Sequence, residues 1–214
     1  MFNEVFHAVV QFVDNIVPGK KRLRNFFATF SQVKTATYKV RRDLRDLGLL
    51  FEGSRLSQVP VIYHYGLTQE SYSGFRGEMG FYYFDTKDIH IPAIWPAALL
   101  PKLSRWYHKR RLVDVIRHEF GHALEGKFKK YFHDSRFRKA FGASYGLPVA
   151  KDGDEQNYVS SYARTDTGED FAETFMLYVK HKGIMPKKFV KSHAIRAKWK
   201  TVETICKDIA KLKK

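Results

Sequence analysis

The chain has 214 residues, with 38 Lys plus Arg against 22 Asp plus Glu, a net charge of +16. Hydrophobic residues at 44% and aromatics at 15% exclude a disordered chain. The single cysteine, Cys206, excludes an internal disulfide framework, a four-cysteine zinc ribbon and a Cys-x-x-Cys redox site.

The N-terminal residues Phe2, Val5, Phe6, Val9, Val10, Val13, Ile16 and Val17 recur at helical spacing, which predicts an amphipathic helix ending at Pro18-Gly19. It has no leading basic region and is interrupted by Glu4 and Asp14, unlike a signal peptide. No run reaches the roughly 20 apolar residues of a membrane span. A cytoplasmic location is therefore the default expectation. A second helix is predicted over 21–47, closed by Gly48, and the two together make a helical arm over residues 1–50.

Residues 59–65, 80–84 and 88–92 read as short strands, the last two joined at Asp85-Thr86-Lys87. Helices follow over 97–108, 110–125, 134–142, 168–181 and 188–211, the last of them strongly basic. Helices, a small strand cluster, then helices is an α+β layout, with residues 51–214 as the main domain. Basic clusters at 20–24, 41–45, 109–111, 127–130 and 187–214 suit an acidic partner, nucleic acid or an anionic membrane surface, or simply a solvated face.

The segment that carries chemistry is His118-Glu119-Phe-Gly-His122. Four residues are just over one helical turn, so His118 and His122 leave the helix on one face and can bind one Zn²⁺. Glu119, offset by one residue, can reach a zinc-activated water as general base without being a ligand. Gly121 inside this helix costs about 1 kcal/mol relative to Ala, which points to a close approach there, and Gly126 is read as the helix stop.

A site of this kind needs a third protein ligand. Thr167 to Asp170 fits a capping box, which puts Glu169 in the first turn of the next helix and Glu173 four residues on along the same face. One of the two acids can ligate zinc while the other accepts a hydrogen bond from a ligand histidine. The alternative third ligand is His133, eleven residues after His122.

The paired segments HEFGHAL (118–124) and YARTDTGEDFAETF (162–175), with Asp134-Ser-Arg-Phe-Arg138 between them, resemble the anthrax lethal factor-like zinc metallopeptidases. These are gluzincins, a class that includes the Pro-Pro endopeptidases. The resemblance covers roughly residues 105–180. It implies a zincin-like fold, one Zn²⁺ per chain held by His118, His122 and Glu169, Glu119 as general base, and Glu173 as the acid that orients a ligand histidine. It also implies that Tyr162 donates to the oxyanion. In addition it suggests extended substrate pairing along an edge strand near Asp88–Ile91. His90 in this strand faces either the cleft or, as is more usual for such a histidine, the polar side of a half-buried strand. Asp166-Thr167 and Asp170 depart from the family's usual residues.

The resulting expectation is a zinc-dependent metalloendopeptidase acting on protein or peptide substrates. The alternatives are a SprT-like protease using His133, or a non-catalytic basic protein, either of them associated with nucleic acid. Lethal factor-like domains also occur as delivered toxins or effectors, which is the alternative to a cytoplasmic setting.

Overall fold

A computed structural model describes residues 28–64, 80–93, 112–148 and 154–213. The expected helices over residues 2–17 and 97–108 lie outside these residues. No helix among those described is long and apolar enough to cross a membrane.

Helix α1 spans Phe30–Asp46. The expected continuous helix from Lys21 is corrected here, because Thr29 is an extended N-cap residue. Its hydroxyl accepts from the Gln32 N–H at 3.2 Å, and the Gln32 side chain accepts from the Thr29 N–H at 2.8 Å. This capping box satisfies two terminal donors and fixes the start. Val33, Ala36, Val40 and Leu44 form the buried stripe. Gly48 follows at φ +73°, the left-handed turn that lets the chain leave the helix.

Strands β1 (Val61–His64), β2 (Phe81–Tyr83) and β3 (Asp88–Pro92) form one sheet in the order β1-β3-β2. β1 runs parallel to β3 with Val61 opposite Ile89, and β2 runs antiparallel to it with Phe81 opposite His90. β3 is therefore central, not the edge strand expected from the resemblance. Ile89 and Ile91 are fully buried. A Cβ at Gly80 would lie 2.9 Å from both Ile91 Cδ1 and Val115 Cγ1, so this face of β3 packs on the following helix. Alternation turns His90 to the opposite face. There it contacts Asp88 at 2.8 Å and His64 at 2.5 Å, and stacks on Phe81.

The remaining helices are α2 (Leu112–Phe128), α3 (Ser135–Phe141), α4 (Thr167–Lys180) and α5 (His193–Ala210). Each of the last three starts at a side-chain cap. Asp134 accepts from the Phe137 N–H at 2.7 Å, Asp166 from Gly168 and Glu169, and Ser192 from Ile195. The cap of α4 is thus Asp166 and not Thr167. The Thr167 hydroxyl is engaged elsewhere, donating to the Ser144 carbonyl at 2.7 Å and accepting from the Leu147 N–H at 3.2 Å. α5 begins at His193 and not 188, after a 3₁₀ turn at Lys187–Phe189.

Gly126 does not stop α2, which continues through it to Phe128. A Cβ there would meet the Tyr82 hydroxyl oxygen at 2.5 Å, so this glycine makes room for β2. Gly121 has the same role towards α4: its Cβ would stand 2.9 Å from Ala172 Cα and 3.3 Å from Phe175 Cδ1. The core continues from this crossing through Phe120, Phe132, Phe137, Phe171 and Phe175, all fully buried.

Gly121→Val should force α2 and α4 apart. Overpacking of this kind costs about 1–3 kcal/mol, read as a thermal midpoint lower by roughly 3–10 °C for a domain of this size.

Candidate metal centre

The contact between Gly121 and Ala172 sets the site. His118 and His122 stand three residues before and one after Gly121, and Glu169 and Glu173 stand three before and one after Ala172. The crossing therefore brings an imidazole pair against a carboxylate pair, each on one helix face.

His118 Nε2 lies 3.1 Å from His122 Nε2 and 3.0 Å from Glu169 Oε2, and His122 Nε2 lies 3.7 Å from the same oxygen. These three residues form a group that could hold a metal ion, with ligand atoms all within 4.8 Å of one another. Tetrahedral ligands at about 2.0–2.1 Å from zinc stand about 3.3–3.4 Å apart, so the observed triangle has the right size. Glu169 Oε2 is buried and, among the described residues, makes no hydrogen bond of proper geometry despite its closeness to His118. Close contacts of this kind suit atoms that share a cation.

The two histidines are oriented from behind. Glu173 Oε1 is 2.7 Å from His118 Nδ1, and the Ser160 hydroxyl donates to Glu173 Oε2 at 2.7 Å. A carboxylate at Nδ1 keeps the proton there and leaves the Nε2 lone pair directed at the group. His122 Nδ1 meets the Tyr145 hydroxyl at 2.6 Å. Burial, reinforced by Glu125 and Glu169, raises the Tyr145 pKa well above its ordinary value, so this partner stays a neutral phenol. Its ring fits against Gly168, whose Cβ would lie 3.2 Å from Tyr145 Cε1.

The electrostatics call for positive charge. Burial opposes ionisation of His118, but the contacts with Glu169 and Glu173 and the charges of Glu173 and Glu119 raise its pKa to about 10. Burial likewise disfavours charged Glu169, yet His118 and His122 outweigh it and hold this carboxyl well below the usual range. A proton or a metal cation can meet this demand.

Glu119 is 4% exposed and lies next to the start of β2, its Cγ 3.4 Å from the Cβ position of Gly80. Tyr162 begins a 3₁₀ turn at Tyr162–Arg164, and its ring centroid is 5.8 Å from that of His118. His133, the alternative ligand, is not in the metal-capable group: its side chain is half exposed and sits 3.5 Å from Glu125. Sequence reasoning missed Tyr145 and Ser160. Neither has a spacing that marks it, since both reach the site from loops.

Residues 100–211, just over half of the chain, match the family described as "Putative zinc-binding metallo-peptidase". The chain belongs to this family. The matched region contains α2 to α5 and with them every member of the metal-capable group. No curated protein and no solved structure matches the chain.

Glu173→Gln should weaken zinc binding about 10–100-fold, the usual cost of losing the hydrogen-bond partner of a ligand histidine. Competition with a chromophoric chelator measures this directly, and Tyr145→Phe should act in the same direction through His122.

Proposed function

We propose that the protein is a zinc-dependent endopeptidase of the gluzincin type, with His118, His122 and Glu169 as the metal ligands and Glu119 and Tyr162 as the catalytic groups. The observation that carries this reading is the convergence of His118 Nε2, His122 Nε2 and Glu169 Oε2 on one small triangle, with Glu119 one residue along the same helix. The family's zinc-binding metallopeptidase character and the lethal factor-like pattern of the two motifs support it.

Zinc supplies Lewis acidity, which activates water near neutral pH and offsets charge gained by the substrate carbonyl oxygen. The chain's own residues do the rest. The Glu119 carboxylate takes the proton of the attacking water and returns it to the departing amine nitrogen. The Tyr162 hydroxyl donates to the carbonyl oxygen as it becomes negative, an interaction stronger in the transition state than with the planar substrate. Glu173 and Tyr145 hold the two imidazoles at Nδ1, which orients both Nε2 atoms toward the position the ion would occupy.

An extended peptide would pair by its main chain with β2, because β3 is central and β2 is an outer strand of the sheet among the described residues, starting beside Glu119.

Elemental analysis after dialysis should find one zinc per chain, lost in Glu169→Ala. Glu119→Gln should keep the zinc and lose about 10²–10⁴ in kcat against a peptide library, and Tyr162→Phe should lose about 10²–10³. Absence of zinc from the wild type, or zinc retention in Glu169→Ala, would sink the assignment.

A further inference from the structure

Between Glu173 and Glu203 the chain carries eight lysines and arginines and no acidic residue. The middle of this stretch is the connection from α4 to α5, and it holds two aliphatic side chains in water. Ile184 is 74% exposed and Val190 46%. Isolated exposed aliphatics are ordinary, but two on one short loop amid cations are not explained by the core.

The loop is fixed, so these side chains are presented. Gly183, at φ +82°, donates to the Tyr178 carbonyl at 2.9 Å and accepts from the Trp199 indole at 3.2 Å. Ile184 N–H donates to the His181 carbonyl at 2.9 Å, and buried Phe189 anchors the 3₁₀ turn between the two aliphatics. Exposed Lys182, Lys187, Lys188 and Lys191 flank Ile184 and Val190, with Arg196 on the first turns of α5. Lys182 stands 3.5 Å from Asp46, with both side chains largely in solvent, a pair of little strength. The positive charge of the loop is therefore mostly uncompensated among the described residues.

We propose that this loop docks the protein on an anionic lipid surface, with Ile184 and Val190 entering the headgroup boundary and the lysines lying on the lipid anions. Apolar insertion and attraction to negative headgroups are the two contributions that together hold a protein at a membrane interface. Nucleic acid would use the cations but not protruding aliphatics. Base stacking requires an exposed aromatic, and the aromatic of this turn, Phe189, is buried. Glu169 lies in the first turn of α4 and the loop follows its last, about 16 Å further along the axis at 1.5 Å per residue. Docking thus leaves the metal-capable group uncovered. The proposal stands independently of the peptidase reading.

The test is flotation of the full chain with vesicles of phosphatidylcholine alone and of phosphatidylcholine containing about a third phosphatidylserine. Binding is expected with the anionic vesicles only. Lys187→Gln with Lys188→Gln should lower the partition about 25-fold, at roughly fivefold per charge, and Ile184→Ser should lower it about tenfold. The thermal midpoint should not move in Ile184→Ser and should fall by no more than a few degrees in the double variant, where Lys188 leaves the face of the Phe189 ring. No binding to anionic vesicles overturns the proposal. So does Ile184→Ser binding as the wild type does, which would move the contact elsewhere on the chain. Salt-sensitive binding to a DNA duplex, unaffected by Ile184→Ser and without vesicle binding, would replace lipid with nucleic acid as the partner.

Discussion

The site rests on the absence of one side chain. At Gly121 the backbone of α2 approaches Ala172 of α4 more closely than any Cβ would allow. That approach sets two i, i+4 pairs against each other, one of imidazoles and one of carboxylates. Had the helices stood a methyl group further apart, the separations of 3.0–3.7 Å among the three converging atoms would not hold. The helix-propensity cost of a mid-helix glycine is thus offset by a polar cluster that only close packing can assemble.

Close packing also buries His118 and Glu173, and burial demands partners. The response is layered. Ser160 supports Glu173, Glu173 supports His118, and Tyr145 supports His122. Buried Arg117 lies between Asp114 and Asp43: the 2.6 Å pair with Asp114 is internal to α2, and the 2.5 Å pair with Asp43 ties α2 to α1. Lys180 joins the same Asp114 from the end of α4. The helix that carries the histidines is consequently held on both sides by groups whose charges are compensated. Such pairing mostly avoids the cost of burying charge and contributes little net stability of its own.

What was legible in the sequence follows the range of the interactions. The 3.6-residue period and the His118–His122 spacing are local, and the helices and the imidazole pair could be read from them. The meaning of Gly121 was also legible, because a mid-helix glycine has few other reasons to be there. Features fixed by distant residues were not. The place of β3 in the centre of the sheet depends on parallel pairing with β1, a crossover that no local pattern encodes. Thr167 has the chemistry of a cap but is engaged by Ser144, which leaves Asp166 to do it. Gly126 looks like a terminator until Tyr82 is packed against it. Tyr145 and Ser160 enter from loops, where side-chain type says little about destination.

One buried ion pair has a consequence for sequence variation. Asp170, next to Glu169, is fully buried, and its Oδ2 lies 2.6 Å from Lys198 Nζ on α5. The same ammonium donates to the Asn157 carbonyl at 2.8 Å and sits 4.0 Å from the centre of the Tyr158 ring. Removing one member of such a pair strands the other in the core, at a cost of about 3–5 kcal/mol, whereas replacing both by apolar groups of similar volume is often neutral. The two positions should therefore vary together although 28 residues separate them. Relatives with an aromatic residue in place of Asp170 should have lost the lysine at 198 as well, and an aligned family would show the two columns changing together.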